Sequence, residues 1–243
     1  MDREVFQRMQ DLETRHWWFL ARRQIIREVI HRYASTGQGA RLLEAGCGTG
    51  GNLMMLSAFG HVDAFELDDQ SRAAASVQGG MEVLPGSLPN EIPFDGITYD
   101  VIGLFDVLEH VEPDADALAS LRSRLRPGGA IVLTVPAFPF LWSRHDETHH
   151  HFRRYTKTTL AKTADRAGLL VERSFYFNTA LFPVAVLMRG LKKLVGSDVP
   201  DDEMPPAWLN TAMYRVFAAE RHIVGRVPVP FGLSLGAVLR VST

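Results

Sequence analysis

Four glycines follow an apolar segment at a spacing that could bind a nucleotide-containing cofactor. Gly46, Gly48, Gly50 and Gly51 come directly after residues 41–45, which read Arg-Leu-Leu-Glu-Ala. Glycine lets the backbone turn tightly and lets a ligand approach main-chain N–H groups without a Cβ in the way. We therefore predict a strand, a cofactor-binding loop and a helix here, although the loop alone does not say which cofactor binds.

The spacing of the loop fits a dinucleotide as well as other cofactors. Gly46, Gly48 and Gly51 satisfy G-x-G-x-x-G, and Glu66 lies about 20 residues after Gly46, where a ribose-binding acid is expected. An NAD-type oxidoreductase is therefore one interpretation. Glu44 argues against it, because a carboxylate at the end of the strand would repel a pyrophosphate and attract a cationic, amino-acid-like tail.

Acidic and imidazole side chains follow a later apolar run, at residues 99–105. Asp106, Glu109 and His110 come directly after it, where doubly wound sheets place active-site groups. If the protein acts on a hydroxyl group of its substrate, that hydroxyl must lose its proton. A histidine or a bound metal would assist this loss. We predict Asp106 and His110 as catalytic residues close to the reacting atoms.

Four of the nine histidines lie between residues 142 and 155. His145 and His149 are spaced to share one face of a helix, and they could also join His110 around a metal. We predict His145 and His149 as further catalytic residues. The alternative is a solvated, charged loop.

Aromatic and cationic side chains predict where the substrate binds. The two arginines at 153 and 154 could bind a phosphate or a carboxylate of the substrate. Two adjacent tryptophans near the amino terminus cannot both face one core on a helix, so one of them could close over the cofactor or the substrate. The alternative for that pair is packing against the core. The predicted substrate-binding residues are Trp17, Trp18, Trp142, Arg153, Arg154 and Tyr155.

The elements that must hold these residues follow from hydrophobic periodicity. Residues 3–34 carry apolar positions at helical spacing among many arginines, which predicts amphipathic helices before the core. From residue 41 to about residue 178, short apolar runs alternate with helical patterns, which predicts βαβ units and a mainly parallel sheet. A helix is expected from Thr156 to Ala167, followed by a strand at 169–177.

Five segments, in order, resemble the motifs of class I S-adenosylmethionine-dependent methyltransferases. The first is Leu43–Gly50, with an acidic residue and G-x-G-x-G. The other four lie at 62–66, 84–88, 99–111 and 125–136. Ser87 replaces the acid that is usual in the third segment. The resemblance implies an α/β fold: a Rossmann-like three-layer sandwich with a seven-stranded, mostly parallel sheet whose last strand is antiparallel.

Within that fold we predict an amino-terminal helical lid at 1–38, a Rossmann-like methyltransferase core at 39–178, an inserted, partly helical cap at 179–233 and a final core strand at 234–243. The resemblance places Ala237–Val241 in the antiparallel last strand. The interval before it is too long for a plain connection. The cap begins with an apolar stretch that either packs on the core or contacts a lipid-like substrate or a membrane surface.

The resemblance also implies S-adenosyl-L-methionine as the cofactor and S-adenosyl-L-homocysteine as its product. Glu44 and the glycines would hold the methionine end, Glu66 the ribose, and Ser87 with Leu88 the adenine. The predicted cofactor-binding residues all belong to the motifs and are Glu44, Gly46, Cys47, Gly48, Gly50, Asn52, Glu66, Leu67, Ser87, Leu88, Phe105 and Asp106.

Asp106, Glu109 and His110 also resemble the E-x-x-E-H element of two methyltransferase branches, in which these side chains bind a divalent metal. The branches are the ubiquinone-biosynthesis O-methyltransferases and the terminal 2′-O-methyltransferases of small RNAs. Asp106 replaces the first glutamate and is still a suitable oxygen ligand. Related methyltransferases keep this turn without a metal, and we predict no metal, with these three residues as the ligands if one binds. The resemblance favours an oxygen atom as the methyl acceptor.

Composition limits the class of protein. The 243 residues are 46% apolar and 22% charged, which is typical of a soluble globular chain. Cys47 is the single cysteine, so no disulfide can form within the chain, and the first residues carry mixed charge; both features favour a cytoplasmic location. The net charge of −2, without a polybasic tail, argues against a nonspecific nucleic-acid binder.

The sequence leaves the acceptor open. We predict a small-molecule acceptor, and phosphorylated, carboxylated and lipid-linked molecules all fit a pocket with histidines and arginines, as does an RNA terminus. A small phenol and a sugar are further candidates. Besides the oxidoreductase, a cofactor-binding interaction module without catalysis is a third interpretation.

Overall fold

A computed structural model describes residues 12–34, 37, 39–183, 186–187 and 204–241. Residues 1–11 of the predicted lid and residues 184–185 and 188–203 of the predicted cap lie outside the described residues, so the apolar start of the cap is described only in part.

Seven strands form one mixed sheet in the order β3-β2-β1-β4-β5-β7-β6. The strands are Arg41–Ala45 (β1), His61–Glu66 (β2), Leu84–Pro85 (β3), Tyr99–Phe105 (β4), Leu125–Pro136 (β5), Leu169–Phe177 (β6) and Ser234–Val241 (β7). β7 runs antiparallel to β5 and β6, and the other neighbouring pairs are parallel. This topology confirms the predicted sheet and its antiparallel last strand.

Helices cover both faces of the sheet. Within the described ranges they are Trp17–Tyr33 (α1), Leu53–Ser57 (α2), Asp69–Gly79 (α3), Asp114–Arg122 (α4), Arg144–Thr148 (α5), Lys157–Arg166 (α6) and Ala207–Ala219 (α7). Leu42 of β1 belongs to the core covered by α1, α2, α3 and α7, whereas Leu43 belongs to the core covered by α4 and α6. Successive side chains of a strand alternate between the faces, so the central strands are buried on both sides. None of these helices combines the length and the apolar character needed to cross a membrane.

The last strand begins at Ser234, where the predicted final core strand also begins. Ser234 and Leu235 already pair with Pro136 and Val135 of β5. Gly236 weakens the apolar pattern at this point, but the Phe175 ring occupies the space where a Cβ of Gly236 would lie. The strand therefore continues through Gly236, although glycine lowers strand propensity.

α7, from the segment between β6 and β7, packs along α1. The side-chain oxygen of Asn210 accepts a hydrogen bond from the Trp17 N–H at 2.9 Å, and its amide nitrogen donates to the Arg15 carbonyl at 2.9 Å. The Trp17 ring meets Phe217 edge-on, with 5.7 Å between the ring centres. α7 thus holds the start of α1 against the core.

Candidate functional site

A cleft of about 880 Å³ opens at the carboxyl ends of β1, β2 and β4. α1 covers one side of it with Trp18, Phe19 and Arg22. Open α/β folds bind ligands at this edge, because the strand ends and the following loops leave a crevice there. The volume suits a ligand of cofactor size.

The glycine loop between β1 and α2 forms one wall of the cleft. The N–H groups of Gly46 and Cys47 both donate to the Phe65 carbonyl, at 3.0 and 3.1 Å, which fixes the loop against the end of β2. Gly48 has a φ of 56° and lines the cleft, with no atom within 4 Å of the place of a Cβ. The loop therefore leaves open space for a ligand beside the backbone of Gly48.

Gly50 lies on the other side of the loop and does not line the cleft. Its φ is 89°, and a Cβ at this position would lie 2.8 Å from the Cα of Ala75 in α3. An L side chain would be strained in this backbone region and would also collide with the helix. Gly50 therefore allows the loop to pack on α3, whereas the prediction placed it against the cofactor.

Glu66 ends β2 and contacts the glycine loop with its side chain. One carboxylate oxygen accepts a hydrogen bond from the Gly48 N–H at 2.8 Å, and the other accepts one from the Asp68 N–H at 3.0 Å. Each oxygen keeps a further lone pair. Glu66 is thus held in a fixed direction and can still accept hydrogen bonds from two hydroxyl groups of a ligand.

Glu44 is a buried carboxyl group with an unused acceptor. It is 1% exposed, one oxygen accepts a hydrogen bond from the Asn52 amide at 2.8 Å, and the other has no partner among the described residues. Burial raises the pKa of Glu44 to about 8, although the Asn52 hydrogen bond and the charge of Arg22 act in the opposite direction. An unsatisfied buried acceptor is costly, and a cationic donor in the cleft would satisfy it.

We expect the binding of S-adenosylhomocysteine to release a proton from Glu44. An ammonium group nearby favours the carboxylate and lowers its pKa from about 8. Affinity should therefore rise with pH between about 6 and 8, by at most about tenfold per pH unit. Calorimetry at neutral pH in two buffers of different ionisation enthalpy counts the proton. Glu44→Gln should bind without this release, and an unchanged release from that variant would contradict the assignment.

The other predicted cofactor residues line the same cleft and are Gly46, Cys47, Asn52, Leu67, Ser87, Leu88, Phe105 and Asp106. The Ser87 hydroxyl donates to the Glu91 carboxylate at 2.9 Å. Burial raises the pKa of the Cys47 thiol, with further contributions from Glu44 and Glu66. A thiol in this state is a poor nucleophile, so Cys47 contributes space and not reactivity.

Arg22 lines the cleft but was not among the predicted site residues. Its side chain is 7% exposed, forms an ion pair with Asp106 and donates to the Thr134 hydroxyl at 3.3 Å. The guanidinium carbon lies 5.1 Å from the centre of a Trp18 ring. Residues four apart on a helix are neighbours, so the spacing from Trp18 was the available signal for Arg22 in the sequence.

The turn after β4 brings Asp106 and His110 to the cleft. Asp106 has a φ of 55°, which a non-glycine residue adopts only where its surroundings hold it. Its N–H donates to the Thr134 carbonyl at 2.9 Å, and Arg22 pairs with its carboxylate. Burial and the neighbouring His151 lower the pKa of His110 to about 4. The His110 ring is therefore neutral at pH 7 and can accept a proton.

Glu109 is buried next to His110 but does not line the cleft. It is 1% exposed, one of its oxygens has no partner among the described residues, and burial together with the charge of Asp106 raises its pKa. An oxygen of Glu109 and ring nitrogens of His110 and His151 lie within 4.8 Å of one another, so these three residues could hold a divalent ion. Asp106, the third member of the predicted metal set, does not belong to this group and pairs with Arg22.

His145 and His149 lie behind His110 and not on the cleft wall. The centres of the two rings are 4.1 Å apart, and the ring of His151, between them and His110, lies 4.6 Å from His110. Burial lowers the pKa of His149 to about 3, and the neighbouring His145 adds to this shift. The rings of His145, His149 and His151 therefore pack behind the wall that carries His110, and they do not line the cleft.

Both predicted substrate-binding arginines form ion pairs away from the cleft. Arg153 pairs with Asp114 at 2.9 Å. Arg154 is 6% exposed and donates to Asp146 at 2.7 Å. Neither guanidinium lines the cleft, because an ion pair with a carboxylate holds each of them elsewhere.

Of the four aromatic residues that were predicted to bind substrate, one lines the cleft and three do not. Trp18 lines the cleft, whereas Trp17 packs on α7. Tyr155 is 2% exposed and its hydroxyl donates to Asp114 at 3.0 Å, while Trp142 is 40% exposed outside the cleft. Of the two adjacent tryptophans, Trp18 is the one positioned to close over a ligand.

Acidic residues outnumber basic ones in the lining of the cleft. Within the described part of the chain, seven carboxylate residues line it, and Arg22 is the sole arginine or lysine. The acids are Glu13, Glu44, Glu66, Asp68, Asp69, Asp106 and Glu112. Apolar side chains outside the predicted set complete the wall and are Phe19, Phe65, Val107, Val111 and Phe152.

A family match covers most of the fold that forms this cleft. The sequence pattern of a family described as methyltransferase domain matches residues 17–174, which is more than half of the chain. The chain belongs to the methyltransferase-domain family. Together with the sheet topology, this match confirms the resemblance to class I S-adenosylmethionine-dependent methyltransferases.

Individual relatives agree with this family. A probable S-adenosylmethionine-dependent methyltransferase of Mycolicibacterium smegmatis is 27% identical over 165 residues, which cover 66% of this chain and 62% of that protein. The mitochondrial ubiquinone biosynthesis O-methyltransferase of Schizosaccharomyces pombe is 30% identical over 116 residues, 44% of this chain and 41% of that protein. The chain thus spans less than two thirds of the length of both relatives.

A solved structure with a similar fold covers nearly the whole chain. It is a chain of the complex between the Haloferax volcanii Trm112 methyltransferase activator and a methyltransferase, with a TM-score of 0.63 and 16% identity. The similarity covers 99% of this chain and 95% of that chain. At this identity the comparison concerns the fold alone.

Proposed function

We propose that this protein transfers a methyl group from S-adenosylmethionine to an oxygen atom of an uncharged small molecule. The observation that carries the proposal is the excess of acidic residues in the described part of the cleft, seven against one arginine. Such a cleft attracts a ligand with a sulfonium and an ammonium group and repels the pyrophosphate of a dinucleotide. In an NAD-type oxidoreductase, we expect fewer acidic residues around the same glycine loop.

The residues of the cleft fit this cofactor. Glu44 has an unused buried acceptor for the ammonium group, and the loop at 46–48 has space beside its backbone. Glu66 can accept two ribose hydroxyls, and Leu67 and Leu88 supply apolar surface for the adenine. When bound, S-adenosylmethionine supplies a methyl group that is activated by the positive sulfur.

The protein's own task is to orient the acceptor and exclude water. Trp18 and Phe19 of α1 cover the cleft, and we assign residues 12–34 a lid role on this basis. α7 presses on the outer face of α1, which gives the described part of the cap a supporting role.

His110 is the residue that we assign to take the proton from the acceptor hydroxyl. As the oxygen forms its third bond, to the methyl group that leaves the sulfur, it becomes positively charged and its proton becomes strongly acidic, so even an imidazole with a pKa of about 4 can accept it. Asp106 is held by Arg22 and Thr134, and this pairing keeps the turn that carries His110 in place.

The wall near His110 favours an uncharged acceptor. Val111 and Phe152 are apolar, and Arg153 forms an ion pair with Asp114. Among the described residues of the cleft, a phosphate or carboxylate on the acceptor would meet acids and no arginine or lysine other than Arg22. The 30% identity to a ubiquinone biosynthesis O-methyltransferase supports oxygen as the accepting atom.

Two measurements test the proposal. Calorimetry should detect binding of S-adenosylhomocysteine and not of NADH; the reverse result would overturn the methyltransferase assignment. Incubation with methyl-labelled S-adenosylmethionine should then label catechol but not catechol phosphate, with the methyl group on oxygen by mass spectrometry. Binding of the cofactor without transfer to any phenol in a broad panel would contradict the oxygen-acceptor part and favour an interaction module.

A further inference from the structure

We infer that the end of the protein at which the cleft opens docks on the surface of a lipid bilayer. The inference is carried by the positions of the exposed aromatic side chains and by the charges beside them. It goes beyond the proposed function, because it concerns a surface of the protein and not the reaction.

Exposed aromatic rings are concentrated in a few loops. In the part of the chain that the structure describes, five phenylalanine or tryptophan side chains are exposed, and no tyrosine is. Trp208 and Phe140 are the most exposed, at 73% and 70%. Several exposed aromatic side chains on one surface mark an interaction site. The five residues are Phe140, Trp142, Phe152, Trp208 and Phe231.

The strand order places three of these residues at one edge of the sheet. Phe140 and Trp142 come after β5, and Phe231 comes before β7. Since β7 is antiparallel to β5, it begins at the edge where β5 ends. Phe140, Trp142 and Phe231 therefore follow or precede strand ends at the carboxyl edge of the sheet, which is also where the cleft opens.

Contacts place the other two residues at the same edge. Phe152 lines the cleft, and its N–H donates to the Glu109 carbonyl at 2.8 Å, in the turn after β4. Trp208 lies in the first turn of α7. Asn210, two residues later, accepts the Trp17 N–H at the end of α1 that covers the cleft. All five exposed aromatic residues thus lie around the mouth of the cleft.

Ring contacts join the loops after β5, after β6 and before β7. The centre of the Phe138 ring lies 5.4 Å from that of Phe140 and 6.0 Å from that of Phe182. The Phe182 ring in turn lies 5.2 Å from the Phe231 ring. These loops therefore form one continuous apolar surface.

The charges beside this surface suit a bilayer. The segments that carry Phe140, Trp142, Phe182, Trp208 and Phe231 contain no charged residue, although 22% of the whole chain is charged. These segments are residues 136–143, 177–187, 204–214 and 227–233. The described charged residues directly beside them are Arg144, Arg215 and Arg226, and all three are exposed. Aromatic side chains that enter the headgroup region, with arginines close to the lipid phosphates, are typical of proteins that lie on a membrane surface.

Sedimentation of the full chain with vesicles of phosphatidylcholine and phosphatidylglycerol tests the inference. The wild-type protein should sediment with the vesicles. The double variant Phe140→Ser, Trp208→Ser should bind at least about tenfold more weakly, because two exposed aromatic side chains no longer enter the bilayer. Val77→Ser is the matched control, since Val77 is 86% exposed on α3, two helical turns beyond the cleft residue Asp69. It should change binding by less than about twofold.

A second measurement does not depend on a loss of binding. Brominated phosphatidylcholine quenches the fluorescence of tryptophan side chains that enter the bilayer, so it should quench the wild-type protein. The double variant Trp142→Phe, Trp208→Phe keeps an apolar surface and should still bind the vesicles. Its remaining tryptophans, Trp17 and Trp18, lie on α1 and should not be quenched.

Three results would overturn the inference: no sedimentation of the wild-type protein, equal binding by the serine variant, or quenching that persists in the phenylalanine variant. A wild-type dimer that the serine substitutions convert to a monomer, without binding to vesicles, would assign the surface to a second copy of the chain instead. Vesicle binding requires neither cofactor nor acceptor, so these outcomes are independent of the proposed function.

Discussion

Replacing Glu66 with alanine should weaken the binding of S-adenosylhomocysteine by about 10- to 100-fold. The carboxylate can accept two ribose hydroxyls, and hydrogen bonds to a charged group are worth about 1.5 to 3 kcal/mol. The substitution also removes the acceptor for the N–H groups of Gly48 and Asp68, which hold the wall of the cleft. Calorimetry with the purified variant measures the loss.

The control for this variant is Glu82→Ala, which removes an exposed carboxylate outside the cleft. It should leave the affinity within about twofold, because water and salt largely screen an exposed charge outside the cleft. Glu66→Gln keeps the shape and removes the charge, and it should bind more tightly than Glu66→Ala. An unchanged affinity in Glu66→Ala would move the ribose contact to another residue.

Replacing Asp146 with alanine should lower the free energy of unfolding by about 3 to 5 kcal/mol, the range for breaking a buried ion pair from one side. Asp146 is fully buried and accepts hydrogen bonds from Arg154 at 2.7 Å and His151 at 2.9 Å. Alanine would leave the Arg154 guanidinium, itself 6% exposed, without its partner. Urea unfolding at pH 7 measures the difference.

The contribution of Asp146 should also depend on pH. Burial alone would raise its pKa, but the hydrogen bonds from His151 and Arg154 outweigh burial and hold the pKa well below its usual range. A folded-state pKa below the unfolded value of about 4 stabilises the protein above that pH, and the stabilisation is lost as the pH falls further. The difference between wild type and Asp146→Ala should therefore shrink below about pH 4.

Asp165→Ala is the matched control, because Asp165 is exposed near the end of α6. It should change the free energy of unfolding by less than about 0.5 kcal/mol. If Asp146→Ala lowers the free energy of unfolding by less than about 1 kcal/mol, the prediction is wrong. Solvent would then reach the Arg154 guanidinium and replace the carboxylate.

Local sequence alone determined the frame of the cofactor cleft. A strand, a glycine turn and a helix are neighbours in the chain, so the position of Glu44 relative to Gly46 and Gly48 is set by a few consecutive residues. The same holds for Glu66 at the end of β2. The alternation of apolar runs and helical patterns also predicted a mainly parallel sheet, and the resemblance to class I methyltransferases implied its seven strands and the antiparallel last strand.

Only the tertiary structure decided which charged side chains reach the cleft. Arg22 meets Asp106 because α1 packs across the ends of the strands, and Arg153 and Arg154 turn away because Asp114 and Asp146 lie beside them. A guanidinium group can point in many directions, and its final direction depends on the nearest buried carboxylate. For Arg22 this carboxylate is Asp106, which is distant in sequence. Spacing along the chain therefore predicts that a cationic side chain is present but not where it points.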